Sequence, residues 1–162
     1  MNVFWLDENP RRAARYHGDQ HVNKMLLEAA QILSTALREH GHDEAFLYQP
    51  THTGHPVVEW AAHSRENWLR LYEFAGALNA EFVERFDHDE PHASWQMLER
   101  VDRDAIAIPA RGATEPPQCM PEEYYRDDLV DAYRTYYAND KEWAVWNYTD
   151  EPPWLAEYRL TA

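Results

Sequence analysis

The sequence predicts an all-α fold, a single helical domain over residues 1–162 framed by two long helices. Three observations carry this. Two long stretches, about 10–39 and 56–86, space their apolar residues at helical intervals. Each opens with a proline suited to a first helical turn, where an N–H would be unpaired anyway. And 162 residues at 44% apolar content, with no repeat or linker, suit one domain with its own core.

The elements follow in order. "VFWL" (3–6) reads as a short strand or an extended arm. In "DENPRR", Asp7 or Asn9 can cap a helix and Pro10 can open it. That helix runs to about Glu39 and ends before Gly41. "HDEAFLYQPTHTGHP" (42–56) has the Pro, Gly and Thr of a loop. The second long helix runs from about Pro56 to Phe86, with Leu69, Leu71, Tyr72, Phe74, Ala75, Leu78, Phe82 and Phe86 as its apolar face, until "DHDEPH" (87–92) breaks it. A shorter helix covers about 93–104. "IAIPARGATEPPQCMP" (106–121) is a long Pro/Gly-rich loop of the kind that is usually functional or disordered. A helix near 121–139 and an aromatic tail (Trp143, Trp146, Tyr148, Trp154, Tyr158) complete the chain.

The net charge is −14. Lysine occurs only at Lys24 and Lys141, against 13 arginines. Such acidity either repels a phosphate backbone or suits a salt-rich cytoplasm, where screening is short-ranged. Scarce lysine with retained arginine favours the salt-rich reading, under which nucleic acid stays admissible. Residues 1–40 carry five basic and five acidic side chains, so the deficit lies entirely in 41–162. The first helix is therefore the least hostile place for an anion. The opening "MNVFWLDENP" has acids where a secretory leader has cations, no apolar run is long enough for a membrane span, and Cys119 is alone. The expected compartment is the cytoplasm, with no membrane partner.

"RYHGDQHVNKMLLEAAQ" (15–31) holds the most unusual pattern. With His17 as reference on one helix, His21, Lys24, Glu28, Gln31 and Thr35 fall within about 40° of it. Val22, Met25, Leu26, Ala29, Ile32, Leu33 and Ala36 occupy the adjoining arc. Two imidazoles, an ammonium, a carboxylate and an amide thus border the core, as on a cleft wall. The plainer alternatives are a Lys24–Glu28 surface pair and a chance pairing among nine histidines. His17 and His21 also have the spacing of a helical metal pair, but no HExxH motif accompanies them, and Asp19 points about 200° away.

Elsewhere, "PTHTGHP" places His52 and His55 before the second helix, where Pro56 would leave N–H groups free for an anion. His63 and Asn67 continue along one face. Glu81 and Arg85 read as a surface salt bridge. Tyr133, Arg134, Tyr137 and Lys141 share one side of a late helix, suited to base stacking and phosphate binding or simply to packing. Cys119 has no local base to activate it.

Three stretches resemble a family of small phage and archaeal proteins: "NVFWLDENPRRAARYHGDQHVNKMLLEAAQILSTA", "PTHTGHP" with Trp60, Ser64, Asn67 and Trp68, and "QCMP" with "AYRTYY". That likeness spans nearly the whole chain and implies no activity. More distantly, the chain is similar to pyrimidine-dimer DNA glycosylases of the endonuclease V type, small all-α enzymes. His21 and Glu28 match the spacing of their first-helix His and catalytic Glu, and Gly54-His55 looks like their Gly-His before the next long helix. Two features depart from the pattern. The Met-Asn start differs from the exposed Thr whose α-amine is the family's nucleophile, and Leu27 and Gln31 stand where the family has Arg flanking the Glu. Lyase chemistry is therefore not expected.

The function expected is action on a base–sugar bond in DNA or a nucleotide. Glu28, His21 and His17 are the candidate catalytic residues. Lys24, Gln31, His55, Asn67, Trp68, Arg134 and Tyr137 are the candidate substrate contacts. No cofactor is expected. The alternatives are a divalent-metal enzyme using His17 and His21, and a non-catalytic binding module.

Overall fold

The computed structural model describes residues 1–160. Its regular elements are all helical, with no strand among those residues: α1 (Pro10–Tyr16), α2 (Asp19–Glu39), α3 (Pro56–His63), α4 (Arg65–Arg85), α5 (Ala93–Glu99), α6 (Leu129–Asp140) and α7 (Leu155–Tyr158), with two single 3₁₀ turns at 103–105 and 122–124. Helix α2 packs chiefly on α4 and α3, and α1 on α4. One apolar core unites these helices with the N-terminal arm, the 106–121 loop and the tail.

"VFWL" is the extended arm, not a strand. Val3, Phe4, Trp5 and Leu6 are all buried, so the arm threads through the core rather than lying over it. Asn2 fastens it by donating to the Cys119 carbonyl at 2.7 Å.

Both long helices are interrupted, each for a local reason that tertiary contacts complete. The first breaks at His17-Gly18, where both residues are extended. Gly18 leaves no room for a side chain: a Cβ there would sit 2.9 Å from the Ala144 Cβ and 3.2 Å from the Tyr137 hydroxyl. Its N–H donates to that hydroxyl at 2.7 Å, and the Asp19 N–H donates to the Val145 carbonyl. The second breaks at Ser64, whose φ of −146° leaves the helical region while its hydroxyl caps the Asn67 N–H.

The later elements are shorter than their composition predicts. Helix α5 stops at Glu99, and the stretch predicted to be helical from 121 begins only at Leu129, behind the Asp128 cap. The 106–121 loop is ordered by tertiary bonds. Asn67 grips Thr114 from both ends of its amide, and Trp60 donates to the Thr114 carbonyl. No helix of the described residues is long and apolar enough to cross a membrane.

Candidate functional site

A cavity of about 690 Å³ opens between α2, the start of α3, the arm, the loop and α6. That volume lies within the usual range for small-molecule sites. Helix α2 contributes His21, Lys24, Met25 and Glu28. The arm adds Met1, Asn2 and Phe4; the start of α3 adds His55 and Pro56; the loop adds Pro117 to Met120; Tyr125 follows it; and α6 adds Tyr136 with Lys141 at its C-cap.

The predicted polar row is therefore half right, and the break at Gly18 explains why. His21, Lys24 and Glu28 lie on one unbroken helix, three and seven residues apart, and all face the cavity. His17 lies before the break, so the wheel that aligned it with them does not apply. It is fully buried against Phe4 and Phe74 and does not line the cavity. Gln31, a turn beyond Glu28, does not line it either.

Four further expected contacts prove structural. Asn67 is committed to Trp60 and Thr114. Trp68 is buried and donates to the Leu33 carbonyl from the middle of the core. Arg134 turns away to bond the Leu6 carbonyl and Asp7, with its guanidinium over Trp154. Tyr137 is buried behind His21 rather than beside a ligand. Aromatic periodicity on α6 cannot separate its two sides. The face that reaches the cavity is Tyr136 and Lys141, which follow Tyr133 and Tyr137 by three and four residues.

The hydrogen bonds set what each imidazole presents. The Tyr137 oxygen accepts from the Gly18 N–H, so its one proton is free to go to His21 Nδ1, 2.7 Å away. His21 then carries its own proton on Nε2. His55 caps α3 by accepting from the Val57 N–H at Nδ1, which likewise leaves an Nε2–H donor. That cap also uses an N–H group that the sequence left for an anion.

Burial, helped by Lys141 and Lys24, holds the His21 pKa down at about 4. Burial and the nearby α-ammonium lower that of His55, partly opposed by Glu28. Neutral rings of this kind donate hydrogen bonds but do not deliver protons near neutral pH. The Met1 α-ammonium lies 3.5 Å from Glu28 Oε1, at the wall of the cavity. Cys119 lines the loop side, with its thiol pKa raised by burial.

His17 donates from Nδ1 to the Ala13 carbonyl at 2.7 Å, and its Nε2 has no partner among the described residues. Burial drives its pKa to about 3. Among the described residues no three His, Cys, Asp or Glu side chains gather as metal ligands, and His17 and His21 share aromatic neighbours instead of an open coordination site.

These histidines make stability pH-dependent. Both rings stay neutral in the folded chain, while unfolded imidazoles protonate near 6.5. Protons therefore favour the unfolded chain once the pH falls below 6.5. The contribution is complete above that value and is lost as pH drops towards 4. The slope is at most about 1.4 kcal/mol per pH unit for each ring. Urea midpoints measured from pH 7.5 to 5 are expected to fall steadily below 6.5; a flat profile would show that the rings are not held neutral.

The fold and cavity define a small helical protein with a polar, amine-rich pocket beneath an ordered loop. The chain matches no family model, no curated protein and no solved structure.

Proposed function

We propose that the cavity is the active site of an enzyme that cleaves the base–sugar bond of a nucleotide or of DNA, with Glu28 as its working carboxylate. The observation that supports this most is the convergence of Glu28, two neutral imidazole donors and an ammonium on one ligand-sized cavity. Breaking that bond sends its electron pair to the base and leaves positive charge on the sugar. Glu28 stabilises that charge and takes a proton from the attacking water. The Nε2–H groups of His21 and His55 meet the negative charge that develops on the departing base. They act as hydrogen-bond donors, which suits rings held below their ordinary pKa. Phe4 and Tyr136 offer faces for the base.

The Met1 amine is engaged by Glu28 at 3.5 Å. Water is thus the expected nucleophile, and hydrolysis without strand cleavage the expected outcome. The gathering of His21, Glu28 and His55 in one concavity also favours an enzyme over a flat binding module.

The test is a panel of nucleotides and of DNA duplexes with damaged or modified bases. It is run in dilute and in molar KCl, because the −14 charge suits a salt-rich interior. Free base is read by chromatography, and borohydride is added in parallel to trap any imine. Base release without a trapped adduct is expected. A trapped adduct would move the nucleophile to the Met1 amine, and no release from any substrate would end the glycosidic reading.

A further inference from the structure

We infer that the cavity takes its substrate as a nucleoside monophosphate, with the phosphate held between Lys24 and Lys141. The inference rests on the reading of the cavity as a nucleotide site and names the form of the nucleotide. The chain has only two lysines, and both line this cavity, from helices more than a hundred residues apart in sequence. The Met1 ammonium and the two Nε2–H donors join them, and among the described residues Glu28 is the one carboxylate in the lining. The cavity is thus net cationic inside a chain of charge −14.

A lysine ammonium is a compact charge with three donors that can rotate to meet a terminal phosphate. Lys24 has no carboxylate within 4 Å among the described residues, so its charge is free to engage a ligand. Lys141 sits 3.1 Å from the exposed Asp140 and lies over the Tyr136 ring, 5.2 Å from its centre. A phosphate would draw it from the first partner without leaving the second.

The surroundings select a short ligand over a long one. Beside Lys141 stand Asp140, 3.1 Å from its ammonium, and the exposed Glu142, the next residue in the chain. A single phosphate inside the cavity meets cations. The flanking phosphates of a polynucleotide would meet Asp140, Glu142 and the surface of a chain of charge −14, and affinity for a strand comes chiefly from its backbone charges.

Titration calorimetry tests the inference with deoxynucleoside monophosphates, the matching nucleosides, inorganic phosphate, and a short single strand and duplex lacking terminal phosphates. At least one monophosphate is expected to bind about tenfold or more tighter than its nucleoside, the size of one lost charge-assisted hydrogen bond. Lys24→Met and Lys141→Met should each remove about tenfold of that affinity, and Lys24→Arg should retain most of it. Circular dichroism checks that each variant remains folded. Equal binding of nucleoside and monophosphate, unchanged binding by the double methionine variant, or preference for the strand or duplex would each overturn the inference. Monophosphate binding without base release would remove the glycosidic reading and leave this one standing. Base release from nucleosides as fast as from monophosphates would do the reverse.

Discussion

Replacing Glu28 by glutamine is expected to lower base release by roughly 10²- to 10⁴-fold, the range for a positioned acid–base group. Glutamine keeps the side-chain volume but removes the negative charge that would face the sugar cation. The fold should survive. Glu28 is only partly buried, and its one ion pair among the described residues, to the Met1 ammonium, spans 3.5 Å at the cavity wall. At that length it is longer than a charge-assisted hydrogen bond, and its loss costs the fold little. Thermal unfolding should therefore move little while turnover collapses. Binding should also persist, because the lysines and imidazoles that hold the ligand remain. Glu28→Asp sharpens the test: it keeps the charge but withdraws it by a methylene, and intermediate activity would show that position matters as well as charge. Full turnover in Glu28→Gln would remove Glu28 from the mechanism.

The parts of this site that could be read in the sequence share one property: they sit on a single uninterrupted helix. His21, Lys24 and Glu28 follow from the 3.6-residue period alone. The errors begin where that period is broken by something non-local. Gly18 beside His17 permits the break, but what fixes it is Tyr137, 119 positions further on, which takes the Gly18 N–H. Asn67 and Trp68 fall on the expected helix, but their partners lie in a loop and on another helix. Helical phase says which side of a helix a residue occupies, not which neighbour covers it.

The loop wall and the arm were legible only as irregular segments, since their path depends on bonds such as Asn2 to Cys119. The scarcity of lysine reads in the sequence as adaptation to salt, and only geometry brings Lys24 and Lys141 to one cavity.

Arg85→Met is expected to destabilise the fold by about 3–5 kcal/mol, the cost of removing one partner from a buried charge network. The sequence suggests an exposed i,i+4 pair with Glu81. Instead, the Arg85 side chain has no solvent exposure, and Glu81 is almost as deep. The guanidinium bonds Glu81 at 2.9 Å and Asp19 at 3.2 Å. It also donates to the His17 carbonyl at 2.7 Å and the Arg15 carbonyl at 2.9 Å. Those carbonyls lie at the end of α1, where a helix leaves its last acceptors unpaired. Asp19, in the first turn of α2, also receives the Asn147 N–H. One side chain therefore closes the break at Gly18, joins α4 to both helix ends and fixes the direction in which α2 sets out.

Methionine fills much of the volume but leaves two carboxylates without their cation and two carbonyls without a donor. Guanidinium chloride unfolding at pH 7 measures the loss. Because the network is buried, the loss should change little with added salt, unlike that of a surface pair. A double-mutant cycle with Glu81→Gln should show coupling of at least about 0.5 kcal/mol. A loss below about 1 kcal/mol, the value for an exposed pair, would mean that the network does not hold the break. The same variant bears on the site, because His21 lies two residues beyond Asp19. If α2 loses its anchor, ligand affinity should fall even where the folded state still predominates.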